Sequence, residues 1–247
     1  MTPRFHQSTA CIWLRGARAA YLGPGLDLAP HRNAVAVIAL GLEAPFDLAV
    51  FEGKGAVPGS RTLRSAVIPA GVLHHLRARG PMAFLYLDAL VDDDLTSRVQ
   101  ELRLPDWGRG APGDLILGLW GALDLPGRPS PDPRIVTLLR ALEDDPDAFS
   151  SFSEAADRIG LRPSRARELI REAVGVPFRR YRLWRRMACA GRELARSRSL
   201  TEAAYAAGFA SSAHFSTAFR LMFGLTPSAL LKAGVRFDID DAHGPGA

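Results

Sequence analysis

Apolar residues fall in short runs from Ala10 to Leu87 and take up helical spacing beyond residue 131. The early runs are CIWL, ARAAYL, AVAVIALG, FDLAVF, RSAVIP and MAFLYL, cut by turn formers such as Gly23-Pro24-Gly25, Pro58-Gly59, Pro69 and Gly80-Pro81. Short runs between such breakers predict strands of a compact β-barrel or sandwich. Asp92 to Leu104 predicts a helix whose acidic start, Asp92-Asp93-Asp94, suits the positive end of the helix dipole. Asp114 to Leu125 predicts a second. The stretch 126–134, PGRPSPDPR, has four prolines in nine positions and predicts a linker.

Beyond the linker the pattern is helical throughout. Ile135, Leu138, Leu139 and Leu142 recur at i, i+3, i+4 and i+7, the signature of an amphipathic helix. An internal repeat follows: Ser153-Glu-Ala-Ala-x-x-x-Gly160 returns 48 residues later as Thr201-Glu-Ala-Ala-x-x-x-Gly208. Each copy predicts a short helix opened by a hydroxyl N-cap, here Ser153 and Thr201, and closed by a glycine suited to the left-handed C′ position. A second helix follows each turn, with Ala166, Leu169, Ile170 and Ala173 as its buried face in the first copy and Phe215, Ala218, Phe219 and Met222 in the second. Two helix-turn-helix units in tandem are the simplest arrangement, although a plain helical scaffold would share the pattern.

Between the units, Pro177 to Ser197 predicts one helix with Phe178, Tyr181, Trp184, Met187 and Leu194 on one side. A helix of about 19 residues spans roughly 28 Å, close to the ~34 Å that separates successive major grooves on one face of B-DNA. Charge enters the picture here. The chain of 247 residues has a formal net charge of +5 and is 47% hydrophobic, so it can bury real cores. Residues 1–130 contribute only +1 to that charge, whereas Arg158 to Arg198 holds 13 arginines against Glu168, Glu172 and Glu193, a local +10. Arginine's planar fork suits phosphates and guanine edges, although solvated helix faces account for the same composition. The two cysteines, Cys11 and Cys189, have no disulfide-framework or zinc spacing. No apolar run approaches the ~20 residues of a membrane helix, and the expectation is a soluble, cytoplasmic protein.

The second copy narrows the choice. Its string Ala207-Gly-Phe209-x-Ser211-x-x-His214-Phe215-Ser216-x-x-Phe219-Arg220-x-x-Phe223-Gly224-x-Thr226-Pro227 resembles the signature of AraC/XylS bacterial transcription regulators. The first copy resembles it through Ala155-Ala156, Gly160-Leu161, Pro163-Ser164 and Gly175, and departs from it with Arg162 at an N-cap where a serine is usual and with Glu168 where arginine is common. The resemblance, over roughly 134–233, implies that Ser164, Arg165, Arg167 and Glu168 of one helix and Ser212, Ala213, His214 and Thr217 of another reach base edges. These positions lie opposite the apolar faces. Arg171, Arg185, Arg186 and Arg220 are placed for phosphates. Intrahelical pairing of Glu168, capping by His214 and core packing of the aromatic residues are the structural alternatives.

In the N-terminal half, Pro30-His31-Arg-Asn33 and Pro69-Ala-Gly71-Val-Leu-His74 resemble the two halves of a cupin pattern. Asn33 stands where metal-dependent cupins have a second histidine, and Glu43 comes too late to complete a ligand set, so no metal or other cofactor is expected. His31 and His74 are then candidates for a small-molecule effector pocket. The expected organisation is an α+β multidomain chain: a cupin-like barrel over 1–90, a helical dimerisation or linker region over 91–130, a DNA-binding domain over 131–236 and a disordered tail over 237–247. The implied function is a non-enzymatic transcription regulator that binds double-stranded DNA, contacts RNA polymerase if it activates, responds to a small molecule, and forms a homodimer. The competing readings are a cupin-type metalloenzyme with a helical appendage and a scaffold whose arginines bind an acidic protein.

Overall fold

The computed structural model describes residues 10–15, 18–51, 59–87, 93–102, 112–123 and 132–240. The linker at 126–134 lies largely outside these, as do residues 241–247 and the first acidic residue of the expected helix start, Asp92.

The described residues of the N-terminal half form nine strands: β1 (Cys11–Arg15), β2 (Arg18–Gly23), β3 (Asp27–His31), β4 (Ala36–Gly41), β5 (Phe46–Val50), β6 (Gly59–Leu63), β7 (Ser65–Ile68), β8 (His74–Arg77) and β9 (Met82–Leu87). Among the described residues these strands form two facing sheets, as a sandwich does, and do not close into the cupin-like barrel expected over 1–90. Five of them join a six-stranded sheet of order β10-β1-β2-β9-β4-β7, and the others form a four-stranded sheet of order β3-β8-β5-β6. All six residues of β4 are buried, as a strand covered on both faces requires. One face of the large sheet is covered by α1 (Asp93–Glu101) and α2 (Pro112–Leu123), which bury Leu95, Val99, Ile116, Leu119 and Leu123 against Trp13, Leu22, Ile38 and Leu40. The other face meets the small sheet through Tyr21, Val37, Phe46, Leu76 and Phe84.

The C-terminal half contains α3 (Pro133–Asp144), α4 (Phe152–Arg158), α5 (Pro163–Val174), α6 (Phe178–Ser197), α7 (Leu200–Ala206), α8 (Ser212–Phe223) and α9 (Pro227–Lys232), followed by β10 (Arg236–Asp240). The segment expected to begin a disordered tail is therefore a strand up to Asp240. It runs parallel to β1, with Arg236 N–H donating to Ala10 O at 2.8 Å and Cys11 through Arg15 opposite Arg236 through Asp240. Alternation explains it: Phe237 and Ile239 are half-buried, while Arg236 and Asp238 are exposed.

The two halves share apolar packing. A single cluster joins Leu14, Ala34 and Val35 of the N-terminal half to Leu138, Ile170, Tyr181, Trp184 and Phe215 of the helices. The Tyr86 ring on β9 lies tilted against Trp184 on α6, centroids 5.5 Å apart, and meets Phe223 on α8 edge-on at 5.7 Å.

Candidate nucleic-acid interface

Each helix pair is set by local capping. Ser151 accepts from Glu154 N–H at 3.2 Å, and the Glu154 carboxylate accepts in return from Ser150 N–H at 2.9 Å. In the second copy Ser199 accepts from Glu202 N–H at 3.2 Å. The caps thus fall two residues before Ser153 and Thr201, the positions expected from the repeat. The second helix of the first unit, α5, starts at Pro163 behind Arg162, which makes no side-chain cap hydrogen bond. Its counterpart α8 is capped by Ser211, which accepts from His214 N–H at 3.1 Å. Gly224 ends α8 at φ 75, and a Cβ there would lie 2.7 Å from Ala29 O and from His31 Nδ1, so glycine is required both by its backbone angle and by the close sheet.

Burial separates the faces as the periodicity implies. In α5, Ala166, Leu169, Ile170, Ala173 and Val174 are buried, while Ser164, Arg165, Arg167, Glu168 and Arg171 are exposed. In α8, Phe215 and Met222 are buried, Ala213, His214, Thr217 and Arg220 are exposed, and Ser212 is half-buried. Two α5 cations already have partners: Arg165 pairs with Glu168 at 2.6 Å, and the Arg167 guanidinium lies 4.8 Å from the centre of the Phe152 ring. The Glu168 hydrogen bond is the main cause that raises the Arg165 pKa.

Arg185 and Arg186 depart from the phosphate role. Arg185 is 2% exposed and lies on the Tyr181, Trp184 and Ala188 stripe of α6, with Glu143 its ion-pair partner at 3.6 Å. A side chain enclosed in this way cannot reach a phosphate. Arg186, 22% exposed, is turned to Asp147, which it hydrogen-bonds, and its guanidinium sits 5.9 Å from the Phe209 ring centre.

His31 and His74 face each other across β3 and β8 with ring centroids 4.2 Å apart, both buried. Each Nδ1 sits on a carbonyl, Ala29 O at 2.8 Å and Val72 O at 3.0 Å, and so carries the proton. Burial, then the neighbouring His74, push the His31 pKa down to about 4, and burial lowers that of His74. Both rings are neutral at pH 7. Among the described residues no group of three or more metal-ligating side chains gathers around them or elsewhere.

His31 and His74 are not among the residues lining an apolar cavity in the described part of the molecule. That cavity, of about 90 Å³, lies between the large sheet and the helices, with Leu14, Ala20 and Tyr86 on one side and Trp184, Met187 and Phe219 on the other. Arg18 is the one charged residue among the described residues lining it, and its guanidinium lies 5.0 Å from the Trp120 ring centre. Periodicity could not reveal a chamber made by two halves of the chain.

Two helix-turn-helix units joined by one 20-residue helix, each presenting the polar face of its second helix, define a DNA-binding transcription regulator. A family model described as a helix-turn-helix domain matches residues 155–233. No curated protein matches the chain by sequence. Among solved structures the chain is similar to ToxT from Vibrio cholerae O395, at 10% identity and a TM-score of 0.53 over 89% of this chain and 98% of that one. An apo ToxT variant from Vibrio cholerae strain SCE256 gives 13% identity and a TM-score of 0.52 over 89% and 98% of the two chains. Wild-type ToxT from the same strain, solved with an unsaturated fatty acid bound, gives 12% identity and 0.51 over 96% and 100%. The matched helix-turn-helix domain lies in the helical half and includes the motif at 207–227. Among the described residues, no helix is long and apolar enough to cross a membrane.

Proposed function

We propose that the protein reads a two-part DNA site, α5 and α8 entering successive major grooves. The observation that carries this reading is the pair of exposed polar faces on equivalent helices at either end of α6. Arg167 forks onto guanine O6 and N7, Glu168 accepts from a cytosine amino group once released from Arg165, and Ser164 and Arg165 complete the first contact set. Ser212, Ala213, His214 and Thr217 supply the second, the Ala213 and Thr217 methyls suiting thymine. Arg171 and Arg220 hold phosphates and fix register.

The effector of this proposal is a small apolar molecule bound between sheet and helices, with a carboxylate for Arg18. The ToxT structure with a fatty acid supports that chemistry. Size limits it: an apolar cavity of about 150 Å³ accommodates benzene, whereas this one is about 90 Å³, so an acyl chain must part the seam as it enters. A homodimer through the outer face of α2, where Leu117 is 45% exposed beside Gly118 and Gly121, and a contact with RNA polymerase complete the regulator; it carries out no reaction of its own.

The test is binding to a duplex selected from a randomised pool, against a scrambled duplex of equal length at matched salt. The expected ratio is about 10³ or more, with affinity falling steeply as salt rises. Equal affinity for both duplexes would sink the proposal.

A further inference from the structure

Reading two grooves with one chain requires the two helix-turn-helix units to hold one relative orientation. The link between them runs through Asp147, in the loop between α3 and α4 and outside the matched helix-turn-helix stretch. That loop belongs firmly to the first unit. Phe149 is buried in the helical core, Asp147 N–H donates to Asp145 Oδ1 at 2.8 Å, and Ser150 is bonded to Glu154 of α4. From this anchored loop the Asp147 carboxylate reaches two arginines one turn apart on α6. Arg182 Nη2 donates to Oδ1 at 2.6 Å, its Nε donates to Pro146 O at 2.8 Å, and Arg186 donates to the same Oδ1. The other carboxylate oxygen lies against the turn of the second unit: a Cβ on Gly208 would stand 1.8 Å from Asp147 Oδ2. Arg186 covers the Phe209 ring beside that turn. One carboxylate therefore touches the first unit's loop, the connecting helix and the second unit's turn. Partial burial opposes its ionisation, but the Arg186 and Arg182 hydrogen bonds outweigh this and hold its pKa below the ordinary value.

The geometry points to Asp147, with Arg182 and Arg186, as a positioning clamp that fixes the angle between the two reading helices and so sets the spacing of half-sites the protein accepts. The inference rests on the two-groove reading above. A partly buried carboxylate oxygen that accepts from two arginines suits the role because the direction of such charge-assisted bonds is defined, unlike that of an apolar contact. The clamp touches no base, so it acts through α5 and α8.

The test uses the full chain and the duplex that wild type selects, alongside the same duplex with two base pairs inserted between its halves, which rotates one half by about 70° relative to the other. Wild type is expected to bind the expanded duplex about 10-fold or more weakly, because one reading helix loses its base edges. Asp147→Asn and, separately, Arg186→Gln are expected to shrink that penalty to about 3-fold or less, while retaining wild-type helical content and affinity for a duplex carrying the first half-site alone. A merely structural role lowers the melting temperature and leaves the spacing penalty intact, so a folded variant that keeps the full penalty overturns the clamp. Wild type that tolerates the insertion overturns the two-groove reading, and the clamp with it.

Discussion

At the scale of single residues, exposed arginines on one helix divide by what they face. Arg167 lies on the outward face of α5 in its first half, where recognition helices meet base edges, whereas Arg171 is one turn further on, near the C-terminal end. Arg167→Ala is expected to cost about 1–3 kcal/mol on the selected site and to relax preference at one or two base pairs. Arg171→Ala is expected to weaken all sequences alike and to reduce the salt slope by about one. Competition assays over a panel of single-base variants check this; uniform loss from both substitutions contradicts the division. The buried histidines give a different residue-level outcome. The folded chain holds His31 neutral down to about pH 4, while an unfolded histidine takes up its proton below about pH 6.5. Between those values the unfolded state binds more protons, so stability falls as pH falls, by up to about 1.4 kcal/mol per unit for this group. Urea midpoints should therefore drop from pH 7 to pH 5, less so in His31→Gln. An equal drop in both proteins removes His31 as the cause.

At the scale of elements, what could be read from the sequence follows how local each cause is. The helix pairs were legible because their apolar spacing and terminal signals lie within a dozen residues. Even their missed caps had a signal: Ser151-x-x-Glu154 and Ser199-x-x-Glu202 each have the spacing of a capping box, two residues before the hydroxyls of the repeat. The burial of Arg185 was also legible in hindsight, since Tyr181, Trp184, Arg185 and Ala188 form an i, i+3, i+4, i+7 stripe. Short apolar runs point to a barrel or a sandwich without choosing between them, and the pairing of β10 with β1 was not legible because it joins residues 225 positions apart and no local pattern encodes a partner. Phe237 and Ile239 alternate with charged residues and so announce a strand without naming its neighbour. Arg236→Pro removes the N–H that Ala10 O accepts and is expected to lower unfolding free energy by about 1–3 kcal/mol. Denaturant titration checks it; unchanged stability means β10 contributes nothing to the fold.

At the scale of the whole molecule, the sheet half and the helical half share one apolar core. The end of α8 is held by the sheet domain: Gly224 O accepts from Ala29 N–H at 2.9 Å, Leu221 O from Arg32 N–H at 3.1 Å, and Met222 O from Asn33 Nδ2 at 2.8 Å. These contacts satisfy carbonyls that every helix C-terminus leaves without an intrahelical partner. The apolar cavity lies along the same seam, so a ligand that widens it acts directly on the helix proposed to read the second groove. The +5 of the chain carries little of this, whereas the +10 between Arg158 and Arg198 spans α5 and α6. Guanine N7 methylation protection on the selected duplex shows whether two helices of one chain enter successive major grooves. The expected result is two protected clusters centred about 10–10.5 base pairs apart on one face, with Arg167→Ala losing protection only at the guanine it reads, within the α5 cluster. A single cluster, or protection no greater than on scrambled DNA, would contradict that arrangement.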